Sequence, residues 1–264
     1  MERRMLIAGG MALGVVIATL ALTFAATVQQ QAQRERALQV AAAADLRPAL
    51  AEIARLYQEQ TGQAATLTFG STGQLTQQIE QGAPFDVFLA ANEAFIERLK
   101  RGGHTVAGTE QRYARGRLAL VTSPALNLPV SALSDLTAPS IRYIAIANPE
   151  HAPYGVAAQD ALEALGLWGT LRPRLVYGEN VQQAMQYVQT GQADAGIVAV
   201  ALVIPTQLRW TLVPQELHRP LDQALAILRR TRSEADARAF VSLVMSPEGQ
   251  ALLGRYGFEP PASP

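Results

Sequence analysis

Four segments of the sequence place small, hydroxyl-bearing or helix-capping residues where a predicted strand gives way to a predicted helix. The first N–H groups of a helix lack intrahelical partners and lie at the positive end of its dipole, so helix starts bind anions. Apart from Arg47, these turns contain no lysine or arginine. Neutral donors of this kind can hold a small oxyanion and also release it. The segments are Ala43–Leu46, Phe69–Gly73, Pro149–Gly155 and Tyr177–Val181.

Each junction alone also fits an ordinary capped helix. Asp45 is a candidate N-cap with Pro48 in the following turn, and Asn180 is a second candidate. Val181 would then present a bare backbone N–H, and the Tyr154 phenol is a further possible donor. The four junctions occur at corresponding strand ends, two in each half of the chain. We therefore predict that they form one anion cage.

The sequence offers little for catalysis, metal binding or nucleic-acid binding. The loop Gly70–Gly73 lacks the lysine of a phosphate-binding loop, and there is no Gly-x-Ser-x-Gly motif. The chain has no cysteine, and His104, His151 and His218 are scattered without metal-ligand spacing. A formal net charge of zero argues against a nucleic-acid partner. We expect a protein that is not an enzyme, has no cofactor and offers no direct metal ligands.

Strand and helix patterns alternate from Leu38 onward, which is typical of an α/β protein with helices on both sheet faces. In such sheets, ligands bind beyond the carboxyl ends of the strands, where the four junctions fall. A segment rich in proline and serine at 123–139 indicates a second lobe. The strands are predicted at 38–44, 65–69, 85–91, 116–122, 141–147, 175–177, 195–200 and 223–229. The helices are predicted at 45–60, 75–81, 93–101, 156–165, 181–190, 234–245 and 248–256.

The N-terminal segment differs from the rest of the chain. Glu2-Arg3-Arg4 precedes an apolar run from Met5 to about Val28, as in an export signal. The run approaches the roughly 20 residues that span a bilayer, so residues 5–28 are alternatively a membrane anchor. Residues 29–37 are predicted to be a tether. Both interpretations place the chain from Leu38 outside the cytoplasmic membrane, in the periplasm or its equivalent.

Five stretches together resemble the periplasmic molybdate-binding proteins of ABC transporters. They are VAAAADLRPALAEI, LTFGSTGQLTQQIEQGAPFDVFLAAN, IAIANPEHAPYG, GENVQQAMQYVQTGQADAGIV and MSPEGQALLGRYGF. The resemblance implies a type II periplasmic-binding-protein fold with mixed sheets, in which a two-strand hinge joins lobe I (38–117 and 222–264) to lobe II (118–221). It also implies a monomer that binds molybdate and usually tungstate, and a partner permease with a cytoplasmic ATPase.

The resemblance also carries the family's ligand positions onto the four junctions. Many members have serine, threonine or asparagine where this chain has Ala44-Asp45. Some use a tyrosine where this chain has Ala199, and a subgroup without it has one at the position of Tyr154. We therefore expect the Tyr154 hydroxyl to be a donor. The implied oxyanion-binding residues are Ala44, Asp45, Ser71, Thr72, Tyr154 and Val181.

Asp45 leaves alternatives open. A carboxylate in the cleft repels a dianion but accepts a hydrogen bond from a protonated anion, which favours a carrier for an anion such as phosphate. A carrier for another oxyanion, such as sulfate, is also an alternative. The apolar N-terminus fits a third alternative, a membrane-anchored oxyanion sensor. We expect the Asp45 N–H to contact the anion, and its carboxylate to cap the following helix.

Overall fold

The computed structural model describes residues 37–126 and 130–261, which form two α/β lobes. The predicted signal or anchor at 1–28 lies outside the described residues, as does the tether apart from Ala37. No helix in the described ranges is long and apolar enough to cross a membrane.

The first lobe is built on a five-stranded sheet with the order β2-β1-β3-β10-β4. Strand β1 is parallel to both β2 and β3, whereas β10 is antiparallel to β3 and β4. The sheet is therefore mixed, with three parallel strands whose carboxyl ends share one edge. Its strands are β1 (Leu38–Ala43), β2 (Ala65–Gly70), β3 (Val87–Ala90), β4 (Gln111–Gly116) and β10 (Leu221–Ile227).

The second lobe repeats this arrangement with a sheet of order β7-β6-β8-β5-β9. Strand β6 is parallel to β7 and β8, and β5 is antiparallel to β8 and β9. Both sheets therefore present the carboxyl ends of three parallel strands. The strands are β5 (Leu118–Thr122), β6 (Ile144–Ala147), β7 (Leu175–Gly178), β8 (Ala195–Ala199) and β9 (Trp210–Leu212).

Helices cover both faces of the first sheet because neighbouring strand residues point to opposite sides. Val40 packs with residues of α1 and α8, whereas Ala41 packs with residues of α2 and α3. The helices that follow first-lobe strands are α1 (Arg47–Thr61), α2 (Thr72–Glu80), α3 (Glu93–Arg101), α8 (Glu234–Met245) and α9 (Pro247–Arg255). Those that follow second-lobe strands are α4 (Pro153–Ala164), α5 (Trp168–Leu171), α6 (Val181–Gln189) and α7 (Val200–Val203).

The chain crosses between the two sheets twice. It leaves β4 for β5 at Arg117, and it returns between Leu212 and Leu221. Strands β4 and β9 have no counterpart among the predicted elements. Strand β4 reads Gln111-Arg112-Tyr113-Ala114-Arg115-Gly116, and its two arginines hide the strand from a search for apolar runs. Both strands lie at a sheet edge, where polar residues are tolerated.

The alanines of β1 occupy the middle of the first sheet. All the residues from Val40 to Ala44 are at most 3 % exposed. Ala43 and Ala44 belong to the same apolar cluster as second-lobe residues, including Tyr154 and Val181. Small side chains at the end of β1 therefore let the second lobe approach this strand closely.

Candidate functional site

A small cavity of about 10 Å³ lies where the carboxyl ends of the two sheets face each other. A space of this size holds about one water-sized sphere, so in this arrangement of the lobes it excludes sugars and peptides. All six residues predicted from the sequence line it. The lining comprises Ala43, Ala44, Asp45, Gly70, Ser71, Thr72, Ala91, Ala152, Pro153, Tyr154, Asn180 and Val181.

At the end of β1, the local structure differs from the one predicted, in which the Asp45 side chain caps a helix. Residues Ala44–Leu46 form a turn of 3-10 helix, so helix α1 begins at Arg47, two residues later than predicted. Leu46 is the N-cap of α1, and no side chain caps this helix. The predicted capping role of the Asp45 carboxylate was therefore wrong. The Asp45 side chain lies instead in a buried polar cluster, where it accepts a hydrogen bond from Gln223.

At the end of β2, the hydroxyl groups of Ser71 and Thr72 have different roles in the cavity wall. The Ser71 hydroxyl donates to the His151 carbonyl oxygen at 2.6 Å and lies 2.8 Å from His151 Nδ1. Its only proton is therefore engaged with the second lobe. The Thr72 hydroxyl accepts from the Ala91 N–H at 3.0 Å, which leaves its own proton for a further acceptor. Thr72 is the better placed hydroxyl donor of this pair.

The second lobe contributes two helix starts. Helix α4 begins with Pro153, and α6 begins after Asn180, whose side chain accepts a hydrogen bond from the Gln183 N–H at 3.1 Å. The predicted N-cap role of Asn180 is confirmed. In the described part of the chain, the N–H groups of Tyr154 and Val181 have no hydrogen-bond partner. These two groups are the unpaired donors that an anion needs at a helix start.

The sequence of the described chain matches a known family along nearly its whole length. A profile of the bacterial extracellular solute-binding proteins matches residues 38–259. The chain belongs to this family. Solute-binding proteins of the family carry ligands rather than transform them, in line with the expectation of a protein that is not an enzyme.

Relatives of this solute-binding protein include molybdate-binding proteins. The chain is 35 % identical to ModA of Rhodobacter capsulatus over 83 % of its own length and 86 % of the relative. It is 36 % identical to ModA of Azotobacter vinelandii, over 84 % and 89 % respectively. The solved structure of the Azotobacter vinelandii periplasmic molybdate-binding protein superposes with a TM-score of 0.80 at 32 % identity, covering 85 % of this chain and all of that one.

A buried polar cluster in the solute-binding protein was missed by the sequence analysis. Asp45 is fully buried, and its Oδ2 accepts a hydrogen bond from Gln223 Nε2 at 2.6 Å. Gln223 Nε2 also lies 3.3 Å from the Tyr154 hydroxyl, and Tyr113 donates to Gln223 Oε1. Burial, opposed by the Gln223 hydrogen bond, raises the pKa of Asp45 to about 6.

The Tyr154 hydroxyl belongs to this cluster and fits against Gly116. A Cβ at Gly116 would lie 2.2 Å from that hydroxyl, so the absence of a side chain there makes room for the ring. Burial raises the pKa of Tyr154 well above its ordinary value, so the phenol keeps its proton. Since Gln223 donates to the phenol oxygen, the phenol proton is directed to another acceptor, and the Asp45 carboxylate is within reach as one such acceptor.

Direct hydrogen bonds join the two lobes beside the cavity. The Gly73 N–H donates to the His151 carbonyl oxygen at 2.9 Å, next to the Ser71 bond to the same oxygen. Farther out, Gln74 Nε2 donates to Glu179 at 2.7 Å. The helix start at Ser71–Gln74 therefore fastens to the second lobe at the mouth of the cavity. These contacts describe a closed arrangement of the lobes.

Proposed function

We propose that this solute-binding protein binds molybdate, and also tungstate, between its lobes. The observation that carries the proposal is the convergence of unpaired donors from both lobes on one small cavity. The Thr72 hydroxyl comes from the first lobe, and the N–H groups of Tyr154 and Val181 come from the second. The described residues that line the cavity include no lysine or arginine, so the anion is held by neutral groups and can be released.

The molybdate-binding relatives supply the ligand class. Two relatives above 30 % identity are molybdate-binding proteins, and this chain covers most of each. In the proposed complex the remaining contacts come from backbone at Ala44, Asp45 and Ser71. Molybdenum enters only as the oxyanion, with no protein atom bound to the metal and no resident cofactor.

Delivery follows from the same proposal. The protein, acting as a monomer outside the cytoplasmic membrane, would hand the oxyanion to an ABC permease with a cytoplasmic ATPase. The two crossing segments, at Arg117 and between Leu212 and Leu221, would serve as the hinge. Opening about them breaks the contacts of Ser71 and Gly73 with His151 and exposes the cavity.

Calorimetry of the purified protein with four oxyanions tests the ligand class. We expect tight binding of molybdate and tungstate, and no measurable binding of sulfate or phosphate. Sulfate has the same charge as molybdate, so charge does not distinguish the two anions. We expect sulfate to be rejected because it is smaller and cannot reach all the donors at once. Binding of phosphate without molybdate would contradict the proposal, and would favour an ionised Asp45 that accepts a proton from the ligand.

Replacing Tyr154 with phenylalanine tests the predicted hydroxyl donor. We expect molybdate binding to weaken by about 1–2 kcal/mol, or about 5- to 30-fold, because one hydrogen bond to a charged group is lost. Titration calorimetry measures the change. Tyr143→Phe is the matched control, since Tyr143 is 53 % exposed and lies outside the cavity lining. Equal affinity of Tyr154→Phe and the control would remove the phenol from the set of donors.

A further inference from the structure

Asp45 has one carboxylate oxygen with no hydrogen bond. Within the described residues, its Oδ1 is buried and has no hydrogen-bond partner, although the residue lines the cavity. The other oxygen, Oδ2, is held by Gln223 Nε2 at 2.6 Å. An unpartnered, buried carboxylate oxygen is costly, so native proteins retain one where a ligand or a proton satisfies it. The unpartnered oxygen therefore indicates that the Asp45 side chain has a role in the cavity in addition to that of its backbone N–H.

The hydrogen bonds around Gln223 determine where a proton on Asp45 would lie. Tyr113 donates to Gln223 Oε1, which orients the amide so that Nε2 faces Asp45 and Tyr154. The nitrogen can only donate, and one of its hydrogens goes to Asp45 Oδ2. Oδ2 is therefore an acceptor. A proton bound to Asp45 lies on Oδ1, the atom without a protein partner.

Among the residues that the structure describes, no cation is placed to neutralise Asp45. The 3-10 turn that contains it packs against α1, α6 and α7, and α6 and α7 contain no acidic or basic residue. Arg47 opens α1, but its guanidinium lies over the Phe69 ring at 4.4 Å. The titratable groups that face Asp45 from the other elements are two phenols, Tyr113 on β4 and Tyr154 on α4.

The remaining charged groups on the elements around Asp45 have partners of their own. Except for Glu163, which accepts a hydrogen bond from Gln159, they pair with an opposite charge, and none of them lines the cavity. The pairs on β4, β10 and α4 are Arg112 with Glu93, Arg115 with Asp222, and Asp160 with Arg219.

We propose that Asp45 binds the oxyanion as a neutral acid and donates a hydrogen bond to it from Oδ1. Binding of one fully deprotonated dianion then takes up one proton from solution, which adds to the carboxylate while the ligand keeps its composition. This inference rests on the proposed function, since it requires an oxyanion in the cavity. It removes the repulsion that an ionised Asp45 would exert on a dianion.

The affinity then depends on pH with a defined sign. Burial already raises the pKa of Asp45 to about 6 in the free protein, and a bound dianion raises it further. Below about pH 6 the free protein already carries the proton, so the affinity is constant. Above about pH 6 the free protein has lost this proton and must take it up from solution when the oxyanion binds. Since the proton concentration falls tenfold per pH unit, the affinity for the oxyanion also falls about tenfold per unit.

Titration calorimetry with molybdate, in buffers that differ in ionisation enthalpy, counts the protons taken up. At about pH 8 we expect about one proton per molybdate for the wild-type protein and none for Asp45→Asn. The variant keeps a neutral side chain at every pH. It should therefore bind molybdate up to about 100-fold more tightly than wild type at about pH 8, and equally at about pH 5. Asp222→Asn changes the residue that precedes Gln223, and this residue lies outside the cavity lining. The variant should therefore behave as wild type.

The outcomes separate this inference from the proposed function. Tight molybdate binding by wild type with no proton uptake and a flat pH profile would overturn the role of Asp45 and leave the proposed function standing. Failure of both proteins to bind molybdate at any pH would overturn the proposed function, and the inference with it. The proton count needs only the wild-type protein, so the result does not depend on whether Asp45→Asn folds.

Discussion

Replacing Gly73 with alanine is expected to weaken molybdate binding by about 5- to 150-fold while leaving the ligand-free fold intact. A Cβ at this position would lie 2.6 Å from the His151 carbonyl oxygen and 3.0 Å from the His151 Cβ. Both atoms belong to the opposite lobe, and the carbonyl is backbone that cannot rotate away. Overpacking of this kind costs about 1–3 kcal/mol, and here the cost falls on the closed arrangement.

The fold itself should not suffer, because Gly73 lies in the first turn of α2 and alanine is the better helix former there. Calorimetry gives the loss of affinity, and thermal unfolding of the ligand-free protein gives its stability. Gly254→Ala is the matched control: Gly254 is also helical, and its added Cβ would meet no atom within 4 Å. Wild-type affinity in Gly73→Ala would show that closure against His151 is not needed for binding.

The four junctions were predictable because their chemistry is local. A strand end followed by small, hydroxyl or capping residues can be read within a few positions, and parallel strands then bring those ends to one edge. Asn180 illustrates this, since its capping bond reaches only three residues ahead. The six predicted residues line one cavity for the same reason.

The role of the Asp45 side chain was not predictable in this way. Its partner, Gln223, lies 178 residues farther along the chain, and a glutamine in a strand carries no sequence signal of its own. An aspartate before a helix favours the local alternative, an N-cap, and that alternative was wrong here. The Ser71 hydroxyl is a similar case, because its partner His151 belongs to the other lobe. Contacts between distant segments decide both side chains.

The Asp45→Asn substitution is also expected to change the stability of the ligand-free protein. Above about pH 6 we expect the variant to be more stable than wild type by about 3 kcal/mol, and below about pH 4 we expect equal stability. The magnitude follows from a carboxyl pKa of 3.8 in the unfolded chain and about 6 in the fold. Each pKa unit corresponds to about 1.36 kcal/mol.

The sign follows from proton binding. Between about pH 4 and pH 6 the folded protein retains the Asp45 proton while the unfolded chain has lost it, so wild-type stability falls as the pH rises through this window. Asparagine has no charge to bury, so the variant escapes this loss. For a domain of this size the difference corresponds to a rise in Tm of about 6–12 °C at neutral pH. Thermal unfolding at several pH values measures it, with Asp222→Asn as the control.

Wild-type and Asp45→Asn curves that run parallel from about pH 4 to pH 8 would mean that the buried carboxylate is stabilised by an interaction other than the one with Gln223. A gap that opens above about pH 4 would instead identify Asp45 as the group whose charge costs the empty protein stability, and whose neutral form is ready to receive an anion.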